Sequence, residues 1–247
     1  MSTNIPKAVI ITPTIGTKKL KMAVESVINQ TFEDLIHLII IDGEQFKEEA
    51  YSILQNFNSS KHKIIVLPYN TGQNGFNGHR IYAACSYLVD SPYVFFLDED
   101  NWYDPNHVES LIDIIESENL DWAYSLRKIF SKEAKFITND NCESLGRWPS
   151  YWYKQSLPPY STYPNVVDTS CYALKSDILK KIGHAWNYPL GADRIFFSAI
   201  SSLYPYFTSS SLYTLNYRLK KRSPNGILLG NKAVEKFYKG EYPWLIV

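Results

Sequence analysis

The chain has 247 residues, 45% of them hydrophobic and 20% charged, with 25 Lys plus Arg against 25 Asp plus Glu. One elaborated domain is the expectation at that length, and a net charge of zero argues against nucleic acid or an anionic membrane surface held by bulk attraction. Cys85, Cys142 and Cys171 fit neither a CxxC metal site nor a disulfide framework, the N-terminus MSTNIPK is unlike a signal peptide, and no apolar run reaches the ~20 residues of a membrane span, so a soluble cytoplasmic protein without a transmembrane segment is expected.

The stretch AVIITPT from Ala8, stopped by Pro13 and Gly16, reads as a buried strand and a turn. Leu20, Ala23, Val24, Val27 and Ile28 then form a helical stripe, and Leu35–Ile41 is a second strand ending at Asp42-Gly43. Strand, helix and strand at this spacing predict a parallel βαβ unit. Lys63–Leu67 is a third strand, residues 79–89 a helix, and Tyr93–Leu97 a fourth strand running into Asp98-Glu99-Asp100. Asp104-Pro105 has the form of an N-cap followed by a first-turn proline, opening a helix buried through Val108, Leu111, Ile112 and Ile115. A strand pair is expected over 122–137, then a long aromatic loop over 139–165. A strand over Val166–Leu174, helices over Ser176–Ile182 and Ala192–Leu203, and a strand over Ser211–Leu219 follow, ending in the basic segment KKRSPN. The pattern predicts an α/β fold with a mostly parallel, Rossmann-like sheet flanked by helices.

In open parallel sheets ligands sit at the carboxyl ends of strands, where strand order reverses. Thr12-Pro13-Thr14, Asp42-Gly43 and Asp98-Glu99-Asp100 all fall at such ends. Asp98 and Asp100 can aim at one point where the chain bends after its strand, and two such carboxylates repel unless a cation joins them. Hard oxygen ligands suit Mn²⁺ or Mg²⁺, which readily share coordination with a diphosphate and would neutralise it as it departs. Asn70–Arg80, NTGQNGFNGHR, carries three glycines ahead of a helix. Its backbone N–H groups and Arg80 can receive phosphate, or it can be a plain loop. No GxxxxGK[ST] loop is present in the sequence.

Two segments carry a resemblance. The run from Glu25 to Gly43, with Ser26, Gln30, Thr31 and Phe32 ahead of a strand that ends in Asp42, resembles the family-2 glycosyltransferases, and Asp98-x-Asp100 resembles their DxD motif. His37 stands where that pattern commonly has an acid, and Gly43-Glu44 replaces the usual D-G-S after the aspartate. The resemblance implies a glycosyltransferase-A fold in a single domain over 1–247. About 1–120 would form the nucleotide-sugar half, and about 121–247 a smaller acceptor half with antiparallel strands and a C-terminal lid. It further implies a UDP-sugar donor, a glycan or other hydroxyl acceptor, and an inverting mechanism. Thr12, Pro13, Thr14 and Asp42 would hold the nucleoside, Asp98 would face the ribose or a metal-bound water, and Asp100 would take the metal.

An inverting transfer needs a carboxylate beside the incoming hydroxyl. The family pattern matches best at Gly191-Ala192-Asp193-Arg194, which makes Asp193 the candidate base; it is also a good helix cap. Asp168 is the alternate base or a residue gripping acceptor hydroxyls, with Asp140 and Glu143 as weaker candidates. Trp148, Tyr151, Trp152 and Trp186 are candidates for stacking on sugar rings, or core packing. Arg218, Lys220, Lys221 and Arg222 are candidates for a lid over the diphosphate. Three other readings stay open: a catalytically inactive nucleotide-sugar-binding partner, a retaining transferase of the same fold, and a nucleotidyltransferase, for which TPTIGTKK is a poor phosphate loop.

Overall fold

In the computed structural model, residues 5–57, 60–140, 144–146 and 166–219 are described. Among these described residues nine strands form one sheet. Strand β1 (Ala8–Thr14) is buried at every position, because β2 (Leu35–Ile41) and β4 (Tyr93–Phe96) flank it in parallel and helices cover both faces. Strand β3 (His62–Val66) extends this side in parallel beyond β2. On the far side β4 pairs antiparallel with β8 (Tyr172–Lys175), and β8 with β6 (Trp122–Phe130). Strand β6 pairs parallel with β9 (Phe207–Arg218) and antiparallel with β7 (Phe136–Asn139), and the short β5 (Trp102–Tyr103) closes the edge against β9. The order β3-β2-β1-β4-β8-β6-β9-β5 puts the reversal of strand order between β1 and β4.

Among the described residues the α-helices are α1 (Leu20–Ile28), α2 (Lys47–Leu54), α3 (His79–Cys85), α4 (His107–Ser117), α5 (Ser176–Ile182) and α6 (Ala192–Leu203). Leu20 and Val24 of α1, Ala50 and Leu54 of α2, and Ile39 and Ile41 of β2 close a small core of their own. Most of the other buried apolar residues make one large core, which includes Phe95, Phe96, Trp122 and Tyr172. Trp186 belongs to it. It is fully buried and stacks on Phe196 at 4.2 Å, with Phe96 at 5.3 Å. Its ring has no face left for a sugar, so the stacking role is corrected to core packing.

Four local readings differ from the sequence pattern. Helix α2 was not expected, since KEEAYSIL buries only Ala50 and Leu54. Strand β9 begins at Phe207, ahead of the expected start at Ser211. The segment 166–174 is not one strand: the Asp168 side chain accepts from Ser170 N at 3.0 Å and caps a 3₁₀ turn, Thr169–Cys171, before β8 starts. Asp104 is not a helix cap. Helix α4 starts at His107 after Asn106, while the Asp104 carboxylate accepts from Lys128 Nζ at 2.5 Å and Asn216 Nδ2 at 2.8 Å. No helix among the described residues is long and apolar enough to cross a membrane.

Candidate active site

At the carboxyl ends of β1, β2 and β4 lies a cavity of about 620 Å³. Pro13 and Thr14 line it from β1, Asp42 from the end of β2, and Asp98, Glu99 and Asp100 from the end of β4. Asp168 and Thr169 come from the 3₁₀ turn before β8, Asp193 and Arg194 from the first turn of α6, and Tyr217 from β9. Helix α6 starts there because Gly191, at φ +89, takes a left-handed turn that an L side chain rarely adopts, and Asp193 then sits at the positive end of the helix. Gly78 lets the loop before α3 approach β1 closely: a Cβ there would lie 2.7 Å from Pro13 Cγ.

The acidic segment after β4 is held on several sides. Tyr82 Oη donates to Asp98 Oδ1 at 2.8 Å from within the core, and burial together with that carboxylate pushes the Tyr82 phenol well above its ordinary value. Asp98 N donates to Ser170 Oγ at 3.1 Å, so the 3₁₀ turn and this segment are tied together. Thr14 Oγ1 and Thr17 N both donate to Glu99 Oε2, at 2.5 Å and 3.3 Å. Burial nevertheless raises the Glu99 carboxyl, with those hydrogen bonds opposing it. Lys19 Nζ meets Asp100 Oδ2 at 3.3 Å. Asn101, 1% exposed, donates to Ser170 Oγ at 3.3 Å and accepts from Arg218 N at 3.1 Å, joining the segment to β9.

Behind the cavity lies a buried ion network. Arg127 of β6 places Nε 2.6 Å from Asp140 Oδ2 and Nη1 2.6 Å from Asp168 Oδ2. Its guanidinium also covers the Tyr217 ring at 4.3 Å. Burial raises the Asp168 carboxyl, and Arg127 is the main opposing influence, while the nearby Asp193 adds to the rise. Asp168 is therefore fixed by its partners, and Asp193 stands beside it at the open end of a helix.

Pro13, Thr14, Asp42, Asp98, Glu99, Asp100, Asp168 and Asp193 thus share one cavity. Asp42 turns its carboxylate to the loop after β3: Thr71 N and Thr71 Oγ1 donate to Oδ1 at 2.8 Å each, and Gly72 N to Oδ2 at 2.9 Å. Two expected residues lie elsewhere. Thr12 is fully buried and bonds His37 Nε2 at 2.8 Å inside the sheet layer, so it does not reach the cavity. Arg80 lies outside the cavity wall, its guanidinium 3.5 Å over the Phe76 ring and 3.4 Å from Thr71 O. Asp140 is spent on Arg127, and Arg218 is buried against Met22 and Trp102. Trp148, Tyr151, Trp152, Glu143, Lys220, Lys221 and Arg222 lie outside the described residues. Among the further residues that shape the site, Lys19, Tyr82, Arg127, Ser170 and Tyr217 carry no local signal in the sequence, and only Asn101, directly after the acidic triplet, does.

Two hard carboxylates, Asp98 and Asp100, are a donor set for Mg²⁺ or Mn²⁺. Among the described residues no group of three or more His, Cys, Asp or Glu side chains is placed to hold a metal ion. Asp98 and Asp100 could hold only a cation that draws the rest of its shell from phosphate oxygens and water.

The profile of glycosyl transferase family 2 matches residues 9–183, and the chain belongs to that family. Its architecture is that of the glycosyltransferase-A proteins: S. aureus TarS superimposes with a TM-score of 0.61 at 13% identity, over 86% of this chain and 37% of that one. TarS 1–349 in complex with UDP-GlcNAc superimposes with a TM-score of 0.62 at 14% identity, over 90% of this chain and 61% of that one. In sequence, 52 residues are 42% identical to an uncharacterized protein of Haemophilus influenzae (strain ATCC 51907 / DSM 11121 / KW20 / Rd), covering 21% of this chain and 35% of that protein. The matches therefore span little more than a third of both the Haemophilus protein and the TarS chain.

Proposed function

We propose that the chain moves a sugar from a nucleoside-diphosphate donor, a UDP-sugar, to an acceptor hydroxyl on a glycan, with inversion and with Mn²⁺ or Mg²⁺. One observation carries this reading: a single cavity joins Asp98 and Asp100 at the end of β4 to Asp193 at the head of α6. Asp42, Asp98, Glu99, Asp100, Asp168 and Asp193 line it with Arg194, and although Arg127 and Lys19 offset Asp168 and Asp100, an anionic diphosphate would meet a negative wall unless a divalent cation came with it. When bound, that cation would neutralise the departing diphosphate as a Lewis acid, with Asp98 and Asp100 as its protein ligands. Pro13, Thr14 and the Asp42-anchored loop after β3 form the nucleoside wall. The choice of UDP draws on the UDP and UDP-GlcNAc complexes of TarS.

Asp193 accepts the proton of the acceptor hydroxyl as that oxygen attacks the anomeric carbon, a contribution of about 10²–10⁴-fold. Asp168, held by Arg127 and Ser170 N, keeps its remaining lone pairs for acceptor hydroxyls and orients them. Residues of about 1–120 serve the nucleotide sugar and the rest the acceptor, within one domain. The buried free thiols Cys85 and Cys171 accord with the cytoplasm, where nucleotide sugars are at hand. NMR of the anomeric proton in freshly formed product tests the mechanism. Inverted configuration is expected, and retention would overturn the role of Asp193.

A further inference from the structure

We infer that Lys19 is a built-in counter-cation for Asp100, which a divalent cation must displace, so that cation and nucleoside diphosphate bind cooperatively. The inference rests on the metal-dependent reading above. Lys19 stands immediately before α1, and its ammonium lies 3.3 Å from Asp100 Oδ2, with side-chain exposures of 29% for Lys19 and 13% for Asp100. Tyr82 Oη donates to Asp98, Thr14 Oγ1 and Thr17 N donate to Glu99, and the buried Arg218 also interacts electrostatically with Asp100. Lys19 is a partly exposed cation paired directly with Asp100 at the end of β4.

A divalent cation on Asp100 would stand next to that ammonium, and two cations on one carboxylate repel. The cation alone must therefore push Lys19 aside without compensation. Lysine is a compact charge on a flexible four-carbon stem, and the partial exposure of Lys19 leaves it a way out. A diphosphate arriving on the same cation offers oxygens that the released ammonium can meet. Its presence removes the penalty, and by linkage the cation strengthens nucleotide binding by the same factor.

The test is Mn²⁺ binding followed by electron paramagnetic resonance, with and without UDP, on the wild type and on Lys19→Met, Lys19→Gln and Lys18→Met. The neighbouring Lys18 is exposed and controls for net charge. Both Lys19 variants should bind Mn²⁺ alone about tenfold more tightly, and the enhancement by UDP should shrink by about the same factor, within the usual range of coupling between two sites. Lys18→Met should match the wild type. If both Lys19 variants bind Mn²⁺ alone no more tightly than wild type while UDP still enhances binding, the counter-cation role is overturned and the metal site stands. If no protein binds Mn²⁺ even with UDP, the metal-dependent reading fails and takes this inference with it.

Discussion

Replacing Arg127 with methionine removes a charge and keeps most of the aliphatic stem, so the effect reports on the ion network behind the cavity. Arg127 is 3% exposed, and its two carboxylate partners, Asp140 and Asp168, are 1% and 9% exposed. Removing one partner of a buried ion pair costs about 3–5 kcal/mol, because the remaining charge stays out of water. Two carboxylates are stranded here, but Asp140 keeps Ser144 N at 3.1 Å and Asp168 keeps Ser170 N at 3.0 Å. Asp168, whose carboxyl burial already raises, can also take up a proton. The expected loss near pH 8 is therefore about 4 kcal/mol rather than twice that, or a fall in Tm of roughly 8–16 °C for a chain of this size. The pH sign follows from burial, which already raises the Asp168 carboxyl against the pull of Arg127. Without Arg127 that carboxyl titrates still further above its unfolded value. The variant then regains stability as pH falls through the raised value, by up to about 1.4 kcal/mol per unit, until it approaches the unfolded value near 3.9. Urea unfolding of both proteins near pH 8 and near pH 5.5 measures this. A loss below about 1 kcal/mol, or an equal loss at both pH values, would refute the argument.

Acid should destabilise the fold through His107, which bonds Thr214 Oγ1 at 2.8 Å and stacks on Tyr103 at 3.7 Å. Burial lowers its pKa from 6.5 to about 3, so its stabilising contribution is present above pH 6.5 and is lost as pH falls from there towards 3. The slope is about 1.4 kcal/mol per unit. His107→Phe should flatten it in urea titrations, and an unchanged slope would count against the assignment. Trp186→Ala should cost about 3–5 kcal/mol in unfolding free energy. A fully folded variant with only an acceptor KM defect would restore the stacking role. Gly78→Ala should push the Pro13 wall and weaken nucleotide binding, with an overpacking cost of about 1–3 kcal/mol seen in thermal melts. Asp193→Asn should leave UDP affinity intact and abolish transfer, whereas full turnover would remove Asp193 from the mechanism.

The parallel half of the sheet was readable because strands buried on both faces appear as uninterrupted apolar runs, as AVIITPT and YVFF do. Strand-end logic also gathered Asp42, Asp98 and Asp100, since the carboxyl ends of a parallel sheet converge on one crevice, whereas Asp193, at the head of a helix, came from the family resemblance. Thr12 was misread because it lies two residues short of the strand end, one layer below the cavity, where His37 claims its hydroxyl. Helix α2 escaped notice because a helix with two buried residues shows no apolar stripe. The polar start of β9 is half-exposed and has no strand alternation. Arg127 was invisible for another reason. Its partners are 13 and 41 residues away in sequence, and nothing local in WAYSLRKIF shows that a strand arginine will be buried between them.

The most direct test of the central claim is calorimetric titration with UDP, GDP, CDP and dTDP, each with and without Mn²⁺, on the wild type and on Asp100→Ala. Tight binding of UDP that requires both Mn²⁺ and Asp100 is the predicted result. No binding of any diphosphate, or binding indifferent to Mn²⁺ and to Asp100, would contradict it.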